Sequence, residues 1–215
     1  MMKSWLVKLF DLIFPRVCCH CGSLGEGILC EPCRKQVVPK PHFNTHIEGM
    51  VSVIGLFPYE GPVKSLIRAL KFEQCPEAAP LLVAALQKHM GVLPFHGIDA
   101  WIPVPSHPDR LRKRGYNHLD LVFSPYFETH QAHYTTPVNR TVDTPPLHAQ
   151  TAEQRKTILR NCFRVEDSFP PYQRVAVVDD ILTSGATLTE LAKTLKHHRN
   201  LDMVGFTLAY VPDWQ

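Results

Sequence analysis

The sequence lacks any uninterrupted apolar run of the roughly 20 residues that a membrane-spanning helix requires. It also lacks a strong excess of one charge, since 23 basic residues face 20 acidic ones and give a formal net charge of +3 over 215 residues. This small excess fits an anionic small-molecule ligand, whereas nucleic-acid binding would have to depend on local basic patches. Internal repeats and low-complexity tracts are absent as well, so we expect one main domain with a small additional module.

The first 15 residues, MMKSWLVKLFDLIFP, lack the features of a secretory signal, because Lys8 and Asp11 interrupt the apolar residues and no small-residue cleavage site follows. The apolar side chains instead recur at helical spacing, which predicts an amphipathic helix packed against its own protein, with a membrane-surface role as the alternative. These residues are Trp5, Leu6, Leu9, Leu12 and Ile13. We therefore expect a cytoplasmic protein with no membrane span.

Cysteine is scarce outside one segment, CCHCGSLGEGILCEPC, which holds five of the seven cysteines. Two Cys-x-x-Cys pairs within it supply four thiolates, a set that suits a tetrahedral structural Zn²⁺ with no open coordination position. The predicted ligands are Cys18, Cys21, Cys30 and Cys33. Two disulfides are the alternative in an oxidising compartment, and a register that uses Cys19 or His20 as a ligand is also open.

A proline-containing stretch, VVPKPHFNTH, predicts a linker that separates two parts of the chain. Residues 1–44 would form the N-terminal helix and zinc module, and residues 45–215 the main domain. Strand and helix patterns alternate through the main domain, which predicts an α/β fold with a mostly parallel sheet flanked by helices. Residues 134–154 are rich in Thr, Pro and His without a clear period, so we predict a long loop there.

The stretch RVAVVDDILTSGATL combines a buried-strand pattern, two acids and a hydroxyl-rich loop. We predict that the strand ends at Val178 and that a helix follows the loop, which favours a phosphate at the helix N-terminus. Asp179 and Asp180 would repel such an anion unless they face sugar hydroxyls or hydrated Mg²⁺. A sugar phosphate satisfies both requirements, whereas a Thr-capped helix with two solvated acids is the simpler structural interpretation.

A basic run, RLRKR, follows the strand pattern DAWIPVP. Arg110, Arg112, Lys113 and Arg114 form a concentrated cationic group that suits a pyrophosphate or a nucleic-acid backbone. A solvated basic face of a helix is the alternative interpretation. The histidines are scattered, and we predict no catalytic histidine among them.

The acid and hydroxyl stretch resembles the phosphoribosyl pyrophosphate signature of type I phosphoribosyltransferases. Two further stretches, WIPVPSHPDRLRKRGYNHLDL and PVNRTVDTPPLHAQTAEQRKTILRNCFRV, precede it in the order found in the ComF/GntX family of competence-associated proteins. The chain is therefore identified as similar to that family over most of its length. The resemblance implies a type I phosphoribosyltransferase-like fold for the main domain.

The resemblance also implies residue roles. Asp179 and Asp180, as the catalytic pair, would bind the ribose hydroxyls, and residues 140–160 would form a mobile loop over the substrate. The residues that would cradle the 5′-phosphate are Thr183, Ser184, Gly185, Ala186 and Thr187. The pyrophosphate would lie in the loop of Val104, Pro105 and Ser106, beside Arg112, Lys113 and Arg114, and Mg²⁺ would accompany it.

The expected function is transfer of a ribose 5-phosphate group from phosphoribosyl pyrophosphate to an unidentified acceptor, in support of DNA uptake during natural competence. One alternative keeps the ligand site without the reaction, as a regulator that senses phosphoribosyl pyrophosphate or a nucleotide. Another is an accessory protein that handles single-stranded DNA alongside other competence proteins, through the basic run and the zinc module.

Overall fold

The computed structural model describes residues 17–24, 27–44, 46–89, 95–144 and 150–212. The amphipathic helix predicted for the first 15 residues lies outside these ranges. The helices are α1 (Glu31–Arg34), α2 (Gly61–Phe72), α3 (Ala79–His89), α4 (Pro108–Arg114), α5 (His118–Thr129), α6 (Ala152–Leu159) and α7 (Ala186–His198). The strands are β1 (His42–Asn44), β2 (Ser52–Pro58), β3 (Ala100–Pro103), β4 (Val138–Arg140), β5 (Phe163–Val165), β6 (Arg174–Leu182) and β7 (Asp202–Tyr210).

A five-stranded sheet forms the centre of the molecule, in the order β1-β2-β7-β6-β3. The pairings β2–β7, β7–β6 and β6–β3 are parallel, and β1 joins the edge antiparallel to β2. The central strands are buried on both faces, as the apolar run from Val175 to Val178 shows, since each of its residues is fully inaccessible. The predicted α/β fold with a mostly parallel sheet is confirmed.

Two helices pack on this sheet through the apolar faces that their spacing predicts. In α2 the buried residues include Val63, Leu66, Ile67 and Leu70. In α7 they include Leu188, Leu191, Ala192 and Leu195. Within the described ranges, no helix is both long and apolar enough to cross a bilayer.

The long loop predicted for residues 134–154 is wrong over part of its length. β4 lies inside it and pairs antiparallel with β5. Within β4, the buried residues Val138 and Arg140 alternate with exposed Asn139. Three residues are too few for this alternation to stand out in the sequence. The end of the segment belongs to α6, where Thr151 and Gln154 form a capping box.

The N-terminal cysteine segment is attached to the main sheet. Cys18, Leu29 and Cys33 are buried in the same apolar cluster as the strands and helices of the main domain. The domain boundary predicted at residue 44 falls at the end of β1, so the edge strand of the sheet comes from the N-terminal part of the chain.

Candidate functional site

Strand β6 is longer than predicted and carries both acids of the DD pair. The prediction that it ends at Val178 is wrong, because β7 runs beside it to Tyr210 and continues the backbone pairing as far as Leu182. Successive side chains on a strand point to opposite faces. Asp179 and Asp180 therefore enter different surroundings instead of acting as one carboxylate pair.

Asp180 is buried, with 7% of its surface exposed, and is held by an ionic network on one face of the sheet. Its Oδ2 lies 2.7 Å from Nζ of Lys71 in α2 and 2.6 Å from Nε2 of His118 in α5. Nη1 of Arg114 lies 2.6 Å from Nδ1 of the same histidine. The chain of contacts thus runs from Arg114 through His118 to Asp180 and on to Lys71.

The hydrogen-bond roles in this network follow from arginine, which can only donate. Nδ1 of His118 accepts from Arg114, so Nε2 carries the proton and donates it to Asp180. Burial lowers the pKa of His118 despite the neighbouring carboxylate, which agrees with a neutral ring. Burial would raise the pKa of Asp180, but Lys71 and His118 outweigh it and hold that pKa well below its usual range.

Asp179 occupies the other face and is half-buried. Its Oδ1 accepts a hydrogen bond from the backbone N–H of Asp180 at 2.8 Å. Burial, together with the charge of Asp180, raises the pKa of Asp179 to about 7, although Lys71 and Arg140 oppose this rise. The Asp179 carboxyl group can therefore gain or lose a proton near neutral pH.

The hydroxyl-rich loop connects the carboxyl end of β6 to α7, shortly after the two acids. Gly185 has a φ of 66°, in the left-handed region that favours glycine, and it is the N-cap of α7. Gly185 has no side chain that could cap the first amides of α7, and the first turn of α7 contains no acidic residue. Thr183 and Ser184 are half-buried beside it. The loop thus offers amides and hydroxyls to an anion.

The pyrophosphate loop predicted at Val104, Pro105 and Ser106 directly follows β3, the neighbour of β6. Val104 is buried, and its N–H donates to the Val178 carbonyl at 2.9 Å. Pro105 and Ser106 are half-buried. β3 and β6 are parallel neighbours, so the loops that follow them leave the sheet at the same end. The structure therefore brings the two predicted phosphate loops side by side.

The basic run divides between the protein interior and solvent. Arg110 contacts Asp143, at 3.3 Å, and the backbone oxygen of Thr144. Arg114, one turn later on the same helical face, donates through Nε to the Lys71 carbonyl at 3.0 Å as well as to His118. Arg112 and Lys113 are exposed between them, and Arg112 pairs with Asp109. The four cations therefore do not form one cluster.

The residues after this run connect helices. Gly115 has a φ of 83° and ends α4. The Tyr116 hydroxyl donates to the Leu70 carbonyl of α2 at 2.7 Å, and Oδ1 of Asn117 accepts from Leu119 N–H to cap α5. These contacts give Tyr116 and Asn117 structural roles that the sequence alone did not reveal.

Arg155 in α6 approaches the hydroxyl-rich loop from a separate part of the chain. Its Nη1 donates to Oγ1 of Thr183 at 3.1 Å and to Oγ of Ser184 at 3.5 Å. Our sequence reasoning missed this residue, as well as Lys71 and His118. The sequence feature that bears on Arg155 is the Thr151–Gln154 capping pattern, which predicts that Arg155 lies in the first turn of a helix that precedes the acid-containing strand.

The cysteine cluster forms a second candidate site. The thiol sulfurs of Cys18, Cys21, Cys30 and Cys33 all lie within 4.8 Å of one another. Cys19 is not part of this group, and Nδ1 of His20 lies 3.1 Å from Oγ of Ser65 instead. Sulfurs about 2.3 Å from a central Zn²⁺ would be separated by comparable distances. The four thiols can therefore hold a structural metal, in the first of the registers considered.

Comparison with known proteins relates the chain to proteins named for competence and for DNA utilization. It is 30% identical over 208 residues to Competence protein F of Haemophilus influenzae, which covers 83% of this chain and 90% of that protein. The chain belongs to the ComF family. DNA utilization protein YhgH of Salmonella typhi is 29% identical over 191 residues, covering 83% of this chain and 77% of that protein. The Escherichia coli K12 protein of that name is 33% identical over 147 residues, covering 64% and 62%. No family model matches the chain.

Proposed function

We propose that this ComF family member binds phosphoribosyl pyrophosphate at the carboxyl ends of β3 and β6. The observation that carries the proposal is the position of Asp179, a carboxyl group four residues before the Thr183–Thr187 loop at the N-terminus of α7. A ribose hydroxyl can donate to the carboxylate, while the loop amides and hydroxyls donate to the 5′-phosphate. A bare phosphate would use only the second half of this arrangement.

The two acids have different roles in this proposal. Asp179 contacts the ribose hydroxyls, because its side chain is half-buried and lies on the face of β6 opposite the Lys71 and His118 contacts. Asp180 holds Lys71 and His118 in place, since its Oδ2 already accepts from both side chains. The sequence-based assignment of both acids to the ribose is thereby narrowed to Asp179.

The proposed reaction transfers the ribose 5-phosphate group to an acceptor nucleophile. The bond between the anomeric carbon and the pyrophosphate oxygen breaks, its electron pair leaves with the pyrophosphate, and the acceptor forms a new bond to that carbon. Fixed positive charge near the leaving group lowers the barrier, and in the described region Arg110 lies closest in sequence to the Val104–Ser106 loop. Bound Mg²⁺ would neutralise pyrophosphate charge, and carboxylate and hydroxyl oxygens such as those of Asp179 and Thr183 are donors that suit it.

Gly185 provides a direct test. Gly185→Val blocks close backbone approach to the phosphate, and we expect it to abolish calorimetric binding of phosphoribosyl pyrophosphate with Mg²⁺. Gly97→Val is the matched control, because Gly97 has a φ of 64° and lies at the opposite end of the sheet, before β3. If Gly185→Val and Gly97→Val bound phosphoribosyl pyrophosphate with equal affinity, the result would contradict the proposed binding site. Product formation by the pure wild-type protein with candidate acceptors separates an enzyme from a sensor.

At the level of the cell, we propose that the protein supports DNA uptake in natural competence, as the names of its relatives suggest. A second candidate function is direct handling of single-stranded DNA, which the exposed positions of Arg112 and Lys113 favour. Phosphate contacts of this kind predict binding that weakens steeply with salt. An R112Q/K113Q variant with an unchanged salt slope would argue against it.

We further propose that the metal of the cysteine cluster is Zn²⁺ and that it is structural. Protein purified under reducing conditions should contain about one zinc per chain, because four thiolates complete a tetrahedral site. C18S/C21S should lose the metal, whereas C75S, outside the cluster, should keep it. Chelation should unfold residues 17–44 and leave the rest of the sheet folded, as hydrogen exchange can measure. Full zinc content in C18S/C21S would contradict the assignment.

A further inference from the structure

The side chain of Arg155 is held at the hydroxyl-rich loop by the local structure of α6. The capping box fixes the start of this helix, with Gln154 N–H donating to Oγ1 of Thr151 at 3.3 Å and Thr151 N–H donating to Oε1 of Gln154 at 2.9 Å. After the helix, the N–H of Asn161 donates to Oε1 of Glu190 in α7 at 2.6 Å. Both ends of α6 are therefore fixed, and Arg155 lies in the first turn, facing Thr183 and Ser184.

The chemistry of these contacts leaves the loop hydroxyls with a defined orientation. A hydroxyl group can accept a hydrogen bond and donate another at the same time, whereas a guanidinium group only donates. Thr183 and Ser184 accept from Arg155 through their oxygens. Their own protons are therefore available to donate to a further acceptor.

The loop itself contains no positive charge. Residues 183–187 read Thr-Ser-Gly-Ala-Thr, so any cation that stabilises a phosphate there must come from another segment. Arg155, 28 residues before Thr183, supplies one at hydrogen-bond distance from the loop hydroxyls. A charged donor also strengthens the hydrogen bond that a hydroxyl passes on to an anion.

We propose that Arg155 is a positioning residue for the 5′-phosphate of the bound ligand. It orients the hydroxyl protons of Thr183 and Ser184 towards the phosphate and adds a positive charge beside a loop that has none. This inference rests on the proposed function, because it assigns the phosphate of that same ligand. It also gives α6 a defined part in binding.

The test uses calorimetry with ribose 5-phosphate and with phosphoribosyl pyrophosphate. We expect Arg155→Gln to bind both at least about tenfold more weakly, and Arg155→Lys to recover part of the loss because it restores the charge without the planar fork. Arg199→Gln is the matched control: it removes the same charge from an exposed residue at the far end of α7, about 20 Å from the loop. Its affinity should equal that of the wild type.

A double-mutant cycle shows whether Arg155 acts through the hydroxyl. In a Thr183→Val background, Arg155→Gln should cost less affinity than it does in the wild type, because one of the groups it orients has been removed. Strictly additive losses, or unchanged affinity in Arg155→Gln, would overturn the inference. If the wild type binds neither ligand, the proposed function fails as well. If it binds both and Arg155→Gln does too, only this inference fails.

Discussion

Asp179 and Asp180 are neighbours in the chain, yet the two faces of β6 give them opposite properties. On one face, Lys71 and His118 hold the Asp180 carboxylate and keep its pKa low. On the other, Asp179 has a pKa raised to about 7 by burial and by the charge of Asp180 itself. Burial, aided by a neighbouring carboxylate that cations hold in its charged form, thus gives the next carboxyl group a pKa near neutrality.

The largest effect should come from breaking the network on the Asp180 face. Asp180→Asn leaves Lys71 and His118 beside a neutral amide, and removal of one partner from a buried ion pair typically costs about 3 kcal/mol or more of folding free energy. Denaturant unfolding should detect this loss. Asp179→Asn is the control: among the described residues the Asp179 carboxyl group has no ion-pair partner, so its replacement should cost far less. Equal losses in the two variants would remove the distinction between the faces.

His118 provides an intermediate test of the same network. His118→Leu fills the space but removes one hydrogen-bond partner from Asp180 and one from Arg114, which should cost about 1–3 kcal/mol. His118→Gln can both accept and donate, so it should retain part of the stability. A stability of His118→Leu equal to that of the wild type would show that the histidine contacts contribute little.

A smaller effect is expected from the titration of Asp179. Its pKa is higher in the folded chain than in the unfolded chain, so the folded state binds more protons between about pH 4 and 7. The contribution of Asp179 to stability should therefore fall as pH rises through this range. Asp179→Asn should flatten this part of the curve. A pH dependence of stability in Asp179→Asn equal to that of the wild type would contradict the raised pKa.

Local sequence patterns predicted the parts of this site that are formed by neighbouring residues. The apolar run of β6, the loop with Gly185 and the apolar face of α7 are all visible within one stretch. The cysteine cluster was predictable for the same reason, since its ligands form two close pairs. Each of these features depends on spacing along the chain.

Contacts between distant segments were not predictable in this way. His118 meets Asp180 across 62 positions, and Arg155 meets Thr183 across 28. The opposite environments of the two acids depend on strand β6 extending past Val178, which in turn depends on pairing with β7. The residues of β6 alone carry no information about His118 or about the length of the pairing with β7. Our sequence analysis therefore assigned the two acids the same role.

The proposed ribose-binding role of Asp179 is tested most directly by calorimetry of wild type and Asp179→Asn at pH 8, above the Asp179 pKa of about 7. The two ligands are phosphoribosyl pyrophosphate and inorganic phosphate, with Mg²⁺ present for both. Loss of the charge-assisted bonds to ribose should weaken phosphoribosyl pyrophosphate at least about tenfold, or about 1.4 kcal/mol, while inorganic phosphate binds equally well or better without the repelling charge. Equal or higher affinity of the variant for both ligands would contradict the ribose-binding role of Asp179.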